Sequence, residues 1–176
     1  ALPICLLQRA AGVRLGADIT LEKNLPQGGG LGGGSSDAAT TLIALNRLWN
    51  AGFDRARLQK LALQLGADVP VFVFGESALA TGVGEELTAL ALTPAWYVVL
   101  IPPVAVGTAR IFQHPDLIRD SIATTIPPFS DACGINDLEP VVCAEYPQVA
   151  QHRDWLKQFG RARVTGSGGC VFAEFA

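Results

Sequence analysis

The chain has 176 residues, of which 49% are hydrophobic and 16% charged, and a formal net charge of −3. Such a length holds one ordinary domain or one and a piece of another, and such a composition buries a core and excludes a disordered chain. The acidic balance excludes a dedicated nucleic-acid binder, which needs a basic face, and apolar runs such as Trp96–Ile101 are far too short to span a bilayer.

The first residues, Ala1-Leu2-Pro3-Ile4-Cys5-Leu6-Leu7, have no basic flank and no nearby small-residue cleavage site, so they do not read as a signal peptide. Cys5, Cys133, Cys143 and Cys170 show no metal-ligand spacing. Reduced, buried thiols in a cytoplasmic protein fit them better than a disulfide scaffold. The chain contains no Met, which predicts a fragment of a longer protein.

Leu2–Ala11 reads as the end of an apolar helix, with Ile4, Leu7 and Ala11 on one stripe. Gly12 and Gly16 bracket a turn into a predicted strand at Ala17–Glu22, where polar and apolar residues alternate. Then comes Pro26-Gln27-Gly28-Gly29-Gly30-Leu31-Gly32-Gly33-Gly34-Ser35-Ser36, with six glycines among seven residues. Glycine has the most backbone freedom to lose on ordering, so this cannot be the interior of a helix or strand. Ala38, Leu42, Leu45 and Trp49 then recur at helical spacing, with Ser35 or Ser36 as the predicted N-cap. Strand, glycine loop and helix N-terminus in that order make an anion site, for phosphate above all. A flexible linker is the bland alternative, but a linker would not be flanked so tightly by ordered elements. A P-loop would need Lys where Gly34 stands. The dinucleotide pattern does match at Gly28, Gly30 and Gly33, but the acid in range, Asp54, opens a helix.

Asp54 caps the next predicted helix, whose buried stripe is Leu58, Leu61 and Leu65. In Gly66-Ala67-Asp68-Val69-Pro70, proline suits a first helical turn, so Asp68 is the predicted cap of a short helix, in a field that favours its ionised form. Taken alone, a capping Asp is structural more often than catalytic. Ser77–Thr81 and Glu86–Leu92 are predicted strands around the turn Gly82-Val83-Gly84. A lobe boundary is placed near Leu92–Ala95, dividing the chain into 1–92 and 93–176. Trp96–Ile101 reads as a buried strand, with Trp96 in the core, and Thr108–His114 as a helical stretch. Asp120–Asp131 reads as a surface loop. Helices are predicted from Asn136 and over Val149–Phe159, strands at Arg163–Thr165 and Cys170–Phe175, and a glycine turn at Gly166-Ser167-Gly168-Gly169. That turn, by itself, is as well read as a plain hairpin. His114 and His152 are expected to be solvated, and Cys170 to be a small buried filler.

The run Leu25-Pro26-x-Gly-Gly-Gly-Leu-Gly-Gly-Gly-Ser-Ser closely resembles the phosphate loop of the GHMP kinase superfamily. Its extended glycine form, followed by Gly66-Ala67-Asp68-Val69-Pro70 and Gly166-Ser167-Gly168-Gly169-Cys170, is most similar to one branch. That branch acts on a cytidine diphosphate derivative of methylerythritol in the non-mevalonate route to isoprenoids. The resemblance implies an α+β, two-lobed fold with a nucleotide between the lobes. It implies transfer of the γ-phosphate of ATP, with Mg²⁺, to a free hydroxyl of that small molecule, and no nucleic-acid or membrane partner. By position, Pro26, Gln27, Gly28, Gly29, Gly30, Leu31, Gly32, Gly33, Gly34, Ser35 and Ser36 would wrap the ATP phosphates. Ser36, or its neighbour Ser35, would also reach the metal. Asp68 matches the catalytic aspartate, for which an ionised carboxylate is what a hydroxyl-activating base requires. Thr108 and Gly166, Ser167, Gly168 and Gly169 fall on the substrate side. The superfamily branch carries a catalytic Lys in a segment that would precede Ala1, and Lys23, Lys60 and Lys157 do not fit that role. The first lobe is therefore expected to be incomplete at its N-terminus, the second at its C-terminus, and the chain alone to bind ATP poorly. A mevalonate, homoserine or sugar kinase, or a non-catalytic nucleotide-binding module, are the competing readings.

Overall fold

A computed structural model of the chain describes residues 2–121 and 135–175. In chain order its elements are α1 (Leu2–Ala11), α2 (Gly33–Leu48), α3 (Arg55–Leu63), α4 (Val69–Phe74), β1 (Ala78–Thr81), β2 (Glu86–Ala89) and β3 (Trp96–Leu100). There follow α5 (Thr108–Phe112), α6 (Glu139–Glu145), α7 (Pro147–Leu156), β4 (Ala162–Val164) and β5 (Val171–Phe175). The architecture is α+β. The chain forms two compact units. One runs to Lys23 and resumes over Gly32–Leu92; the other takes Asn24–Leu31 and the residues from Thr93 onward.

In the first unit α2 is the central element. Its buried face is Ala39, Leu42 and Leu45, continued by Trp49. Against it lie Leu7 of α1, Leu58, Leu61 and Ala62 of α3, and Val69 and Val73 of α4. Each large aliphatic side chain so buried contributes roughly 1.5–3 kcal/mol. Asp54 caps α3 as expected: its carboxylate accepts the Arg57 N–H at 2.8 Å. The Asn46 side chain latches the α2–α3 connection by bonding both the N–H and the C=O of Phe53. The predicted hairpin is also present, with β1 and β2 antiparallel, Thr81 opposite Glu86, and Gly82 and Gly84 both at positive φ in the turn.

Residues 17–22 are not the predicted strand. A strand needs a neighbour to take its amide and carbonyl groups, and among the described residues no strand pairs with this segment. Its apolar residues Ile19 and Leu21 are accordingly exposed.

The second unit is a three-stranded antiparallel sheet, in order β3–β5–β4, covered by helices. Trp96 stands opposite Phe175 and Leu100 opposite Val171, while on the other side Val164 stands opposite Val171. The core joins Val171 and Ala173 of β5 and Ala162 and Val164 of β4 to Val141 and Val142 of α6, Val149 and Leu156 of α7, and Ile111 of α5. A polar tie runs alongside. Glu139 accepts the Val164 N–H at 2.9 Å and pairs with Arg153 at 3.2 Å, and both side chains are half-buried. The expectation of a buried strand at Trp96–Ile101 holds for the strand and fails for its burial. Among the described residues β3 is an edge of the sheet, with β5 alone beside it, and Trp96 is 78% exposed. Most of the surface loop expected at Asp120–Asp131 lies outside the described residues, as does Cys133.

Candidate functional site

The helix that follows the glycine run begins earlier than its serines suggest. Gly32, in the left-handed region at φ 68°, is the N-cap of α2, and the first backbone bond closing a helical turn is Ser36 N–H to Gly32 C=O at 2.9 Å. Ser35 and Ser36 therefore sit inside the first turn, and neither is the cap. The reason is conformational: only glycine enters positive φ without a steric penalty, so the helix starts where the glycines allow. A Gly32 cap has no side chain to offer, and the N–H groups of Gly33, Gly34 and Ser35 have no partner along the helix. They face outward at the positive end of a 16-residue dipole. The space beside them is open, since a Cβ on Gly34 would meet nothing within 4 Å. Asp37, one turn into α2, pairs with Lys23 at 2.7 Å.

The helix bearing Asp68 packs against the same helix α2. The ring of Phe72 on α4 lies so near Gly32 that a Cβ there would come within 2.6 Å of it. Asp68 is the N-cap of α4 by position, with Pro70 in the first turn. Its carboxylate nevertheless makes no capping hydrogen bond. The backbone at Asp68 is already helical, at φ −84° and ψ −9°, whereas a capping side chain folds back from an extended one. The carboxylate is exposed and not engaged with its own helix. On the other side of the motif the Ala67 carbonyl abuts Gly84 of the hairpin turn, where any side chain would overlap it.

In the second unit the two glycine loops interlock. The Gly169 N–H donates to the Gly28 carbonyl at 3.0 Å and the Cys170 N–H to the Gly29 carbonyl at 3.2 Å. Gly28 and Gly30 hold φ near 70°. A Cβ on Gly30 would overlap the Thr165 carbonyl, and one on Gly168 would overlap the Gly29–Gly30 peptide. The turn Gly166–Gly169 joins antiparallel β4 and β5, so it is a hairpin, and it is also the seat of the first loop. Thr108, the first residue of α5, meets Ser167 through their hydroxyls at 3.3 Å. Cys170 beneath the loop is almost fully buried, and burial pushes its thiol pKa up. It is a neutral filler, as its place beside the turn suggests. His114 departs from the expected solvation: its ring is half-buried, with Nε2 3.4 Å from the Glu145 carboxylate.

Of the residues singled out from the sequence, Gly32–Ser36 and Asp68 lie in the first unit, at the starts of α2 and α4, two helices that pack on each other. Gln27 and the other residues of Pro26–Leu31, Thr108 and Gly166–Gly169 fall in the second. Sequence reasoning missed Thr165 and Asn136. Asn136 donates from Nδ2 to the carbonyls of Val164 and Gly166, at 3.1 and 2.7 Å. The available signal was a lone polar residue at the end of an apolar strand entering a glycine turn. It also missed the Lys23–Asp37 pair, which joins positions on either side of the loop.

Two family models match the chain in succession: the GHMP kinase N-terminal domain over residues 3–76 and the GHMP kinase C-terminal domain over residues 117–176. The chain belongs to the GHMP kinase family. Among its relatives is a 4-diphosphocytidyl-2-C-methyl-D-erythritol kinase of Nitrosospira multiformis, 63% identical over 97% of this chain and 59% of that protein. A protein of the same name from Bordetella pertussis is 61% identical over 96% of this chain and 58% of its own length. A crystal structure of a 4-(cytidine 5'-diphospho)-2C-methyl-D-erythritol kinase superposes with a TM-score of 0.77 at 36% identity, covering 97% of this chain and 66% of that one. The chain thus spans about three-fifths of the length of the curated relatives it matches. Among the described residues no helix is long and apolar enough to cross a membrane.

Proposed function

We propose that the protein is an ATP-dependent kinase acting on 4-diphosphocytidyl-2-C-methyl-D-erythritol, in non-mevalonate isoprenoid precursor synthesis. The observation that carries this reading is the uncapped, glycine-built N-terminus of α2 with the Asp68 helix packed on the same helix. The names of relatives above 60% identity supply the acceptor. In this reading 1–92 is the nucleotide-binding lobe and 93–176 the substrate-side lobe.

Phosphoryl transfer asks little covalent chemistry of a protein; it asks for position and for charge stabilisation. The main-chain amides of Pro26–Ser36 take the phosphate oxygens, with no side-chain reorganisation to make. The acceptor hydroxyl oxygen attacks the γ-phosphorus, the bond to the β,γ-bridging oxygen breaks, and ADP leaves. Asp68 receives the hydroxyl proton, a role for which its carboxylate, unengaged with its own helix, is suited. Thr108, Ser167 and the glycines Gly166, Gly168 and Gly169 orient the acceptor. Among the described residues no cluster of three His, Cys, Asp or Glu side chains is fit to hold a metal by itself. Mg²⁺ takes most of its ligands from phosphates and water, and the Ser36 hydroxyl is the ligand this chain would offer it. When bound, the ion neutralises charge on the β- and γ-phosphates.

The test is Asp68→Asn in the full-length protein. ATP affinity is expected to stay within about twofold, while turnover of the cytidine diphosphate substrate falls roughly 100-fold or more. Wild-type turnover by Asp68→Asn would remove Asp68 as the base. A wild-type protein that binds ATP and phosphorylates nothing would be a binding module.

A further inference from the structure

The turn between β4 and β5 does more than join two strands. Thr165 is the buried polar residue at its entry, and its hydroxyl lies 2.5 Å from the Gly29 carbonyl and 3.2 Å from the Cys170 carbonyl. A hydroxyl has one proton to donate. The Cys170 carbonyl already accepts the Thr165 N–H at 2.9 Å, so the shorter contact takes that proton. The Gly29 carbonyl also accepts the Cys170 N–H, which fills both of its lone pairs. Thr165 itself is held from outside, because Asn136 bonds the carbonyls on either side of it, those of Val164 and Gly166.

A peptide unit is planar and trans, so a fixed carbonyl fixes the direction of the next N–H. Here that is the Gly30 N–H, which makes no hydrogen bond among the described residues. Glycine at this point has the widest choice of conformations, and a free glycine loop would sample many of them. We propose that Thr165 is a positioning residue for the nucleotide: its hydroxyl locks the Gly29 carbonyl and so aims the Gly30 N–H at a phosphate oxygen. The residue touches neither substrate nor nucleotide; it acts through the main chain of the loop. The proposal rests on the kinase reading for the identity of the ligand, and on hydrogen bonds alone for the lock.

The experiment compares Thr165→Val, which keeps the shape and loses the hydroxyl, with Thr165→Ser, which keeps the hydroxyl. Two quantities are read in full-length protein: amide hydrogen exchange over residues 168–170 without nucleotide, and KM for ATP against kcat. The expected result is faster exchange in Thr165→Val at Gly169 and Cys170, whose N–H groups donate to the Gly28 and Gly29 carbonyls, with KM for ATP raised about tenfold, the size of one buried hydrogen bond, and kcat little changed. Thr165→Ser is expected to restore both to within about twofold. Should Thr165→Val fail to fold, Thr165→Ala supplies the same comparison. Wild-type exchange and KM in the hydroxyl-free variant would overturn the proposal, and so would a Thr165→Ser protein as impaired as Thr165→Val. Failure of the wild type to bind ATP would instead overturn the kinase reading, and the exchange comparison would still decide the lock.

Discussion

Gly168 lies against Gly30 so closely that a side chain on the first would occupy the space of the second's amide nitrogen. Main chain meets main chain there, and neither can be turned aside as a flexible side chain can. Gly168→Ala is therefore expected to push the first glycine loop off its seat. Overpacking of this kind costs about 1–3 kcal/mol. Thermal unfolding should report the loss of stability. ATP titration should report an affinity lower by about tenfold or more. A variant with wild-type melting and wild-type affinity would show that the loop is not seated on this turn.

Gly34 makes the opposite prediction for stability. It lies in the first turn of α2 without a positive φ, and an added Cβ would meet nothing within 4 Å. Glycine in a helix is less favourable than alanine by roughly 0.5–1 kcal/mol. Gly34→Ala is accordingly expected to melt higher. In the proposed function the same open space is where phosphate approaches the amides, so ATP affinity should fall while stability rises. Equal or better ATP binding in Gly34→Ala would place the phosphates elsewhere.

The thiols should separate by burial. Cys5 is exposed, Cys143 half-buried and Cys170 almost fully buried. Desolvation raises the pKa of Cys143 and Cys170, in Cys143 against the opposing pull of Arg153. Alkylation at mildly alkaline pH, resolved by peptide mass spectrometry, should label Cys5 first and Cys170 only on unfolding. The pH dependence has a definite sign. A thiol whose folded pKa is raised contributes stability that is whole below its unfolded pKa, near 9.0, and is lost as pH rises through the higher folded value. Stability should therefore decline above about pH 9, and Cys170→Ala should flatten that limb of the curve. Early labelling of Cys170 in folded protein would contradict its place beneath the loop.

Much was legible in the linear chain, because local chemistry dictates it. Helices with a clear apolar stripe and a proper cap, such as the one opened by Asp54, need no distant partner to be read. The same holds for the hairpin at Gly82-Val83-Gly84 and for the three glycine and aspartate motifs, whose order alone points to the GHMP kinases. What depended on neighbours was not legible. Residues 17–22 alternate like a strand, yet pairing is a property of two segments, and no strand pairs with this one among the described residues. Trp96-Tyr97-Val98-Val99-Leu100 has the composition of a core strand, but its place at the sheet edge decided its exposure.

The first glycine loop divides in the same way. Residue type alone settled that six glycines would hold conformations closed to other side chains, and that a helix would begin among them. It could not tell that Gly32 and not a serine would cap that helix, or that Asp68 would leave its own cap unmade. Nor could it tell that a threonine 136 positions away would hold the Gly29 carbonyl. Those outcomes depend on which main-chain groups meet across the fold, and a hydrogen bond between distant residues leaves no periodicity in the sequence to read.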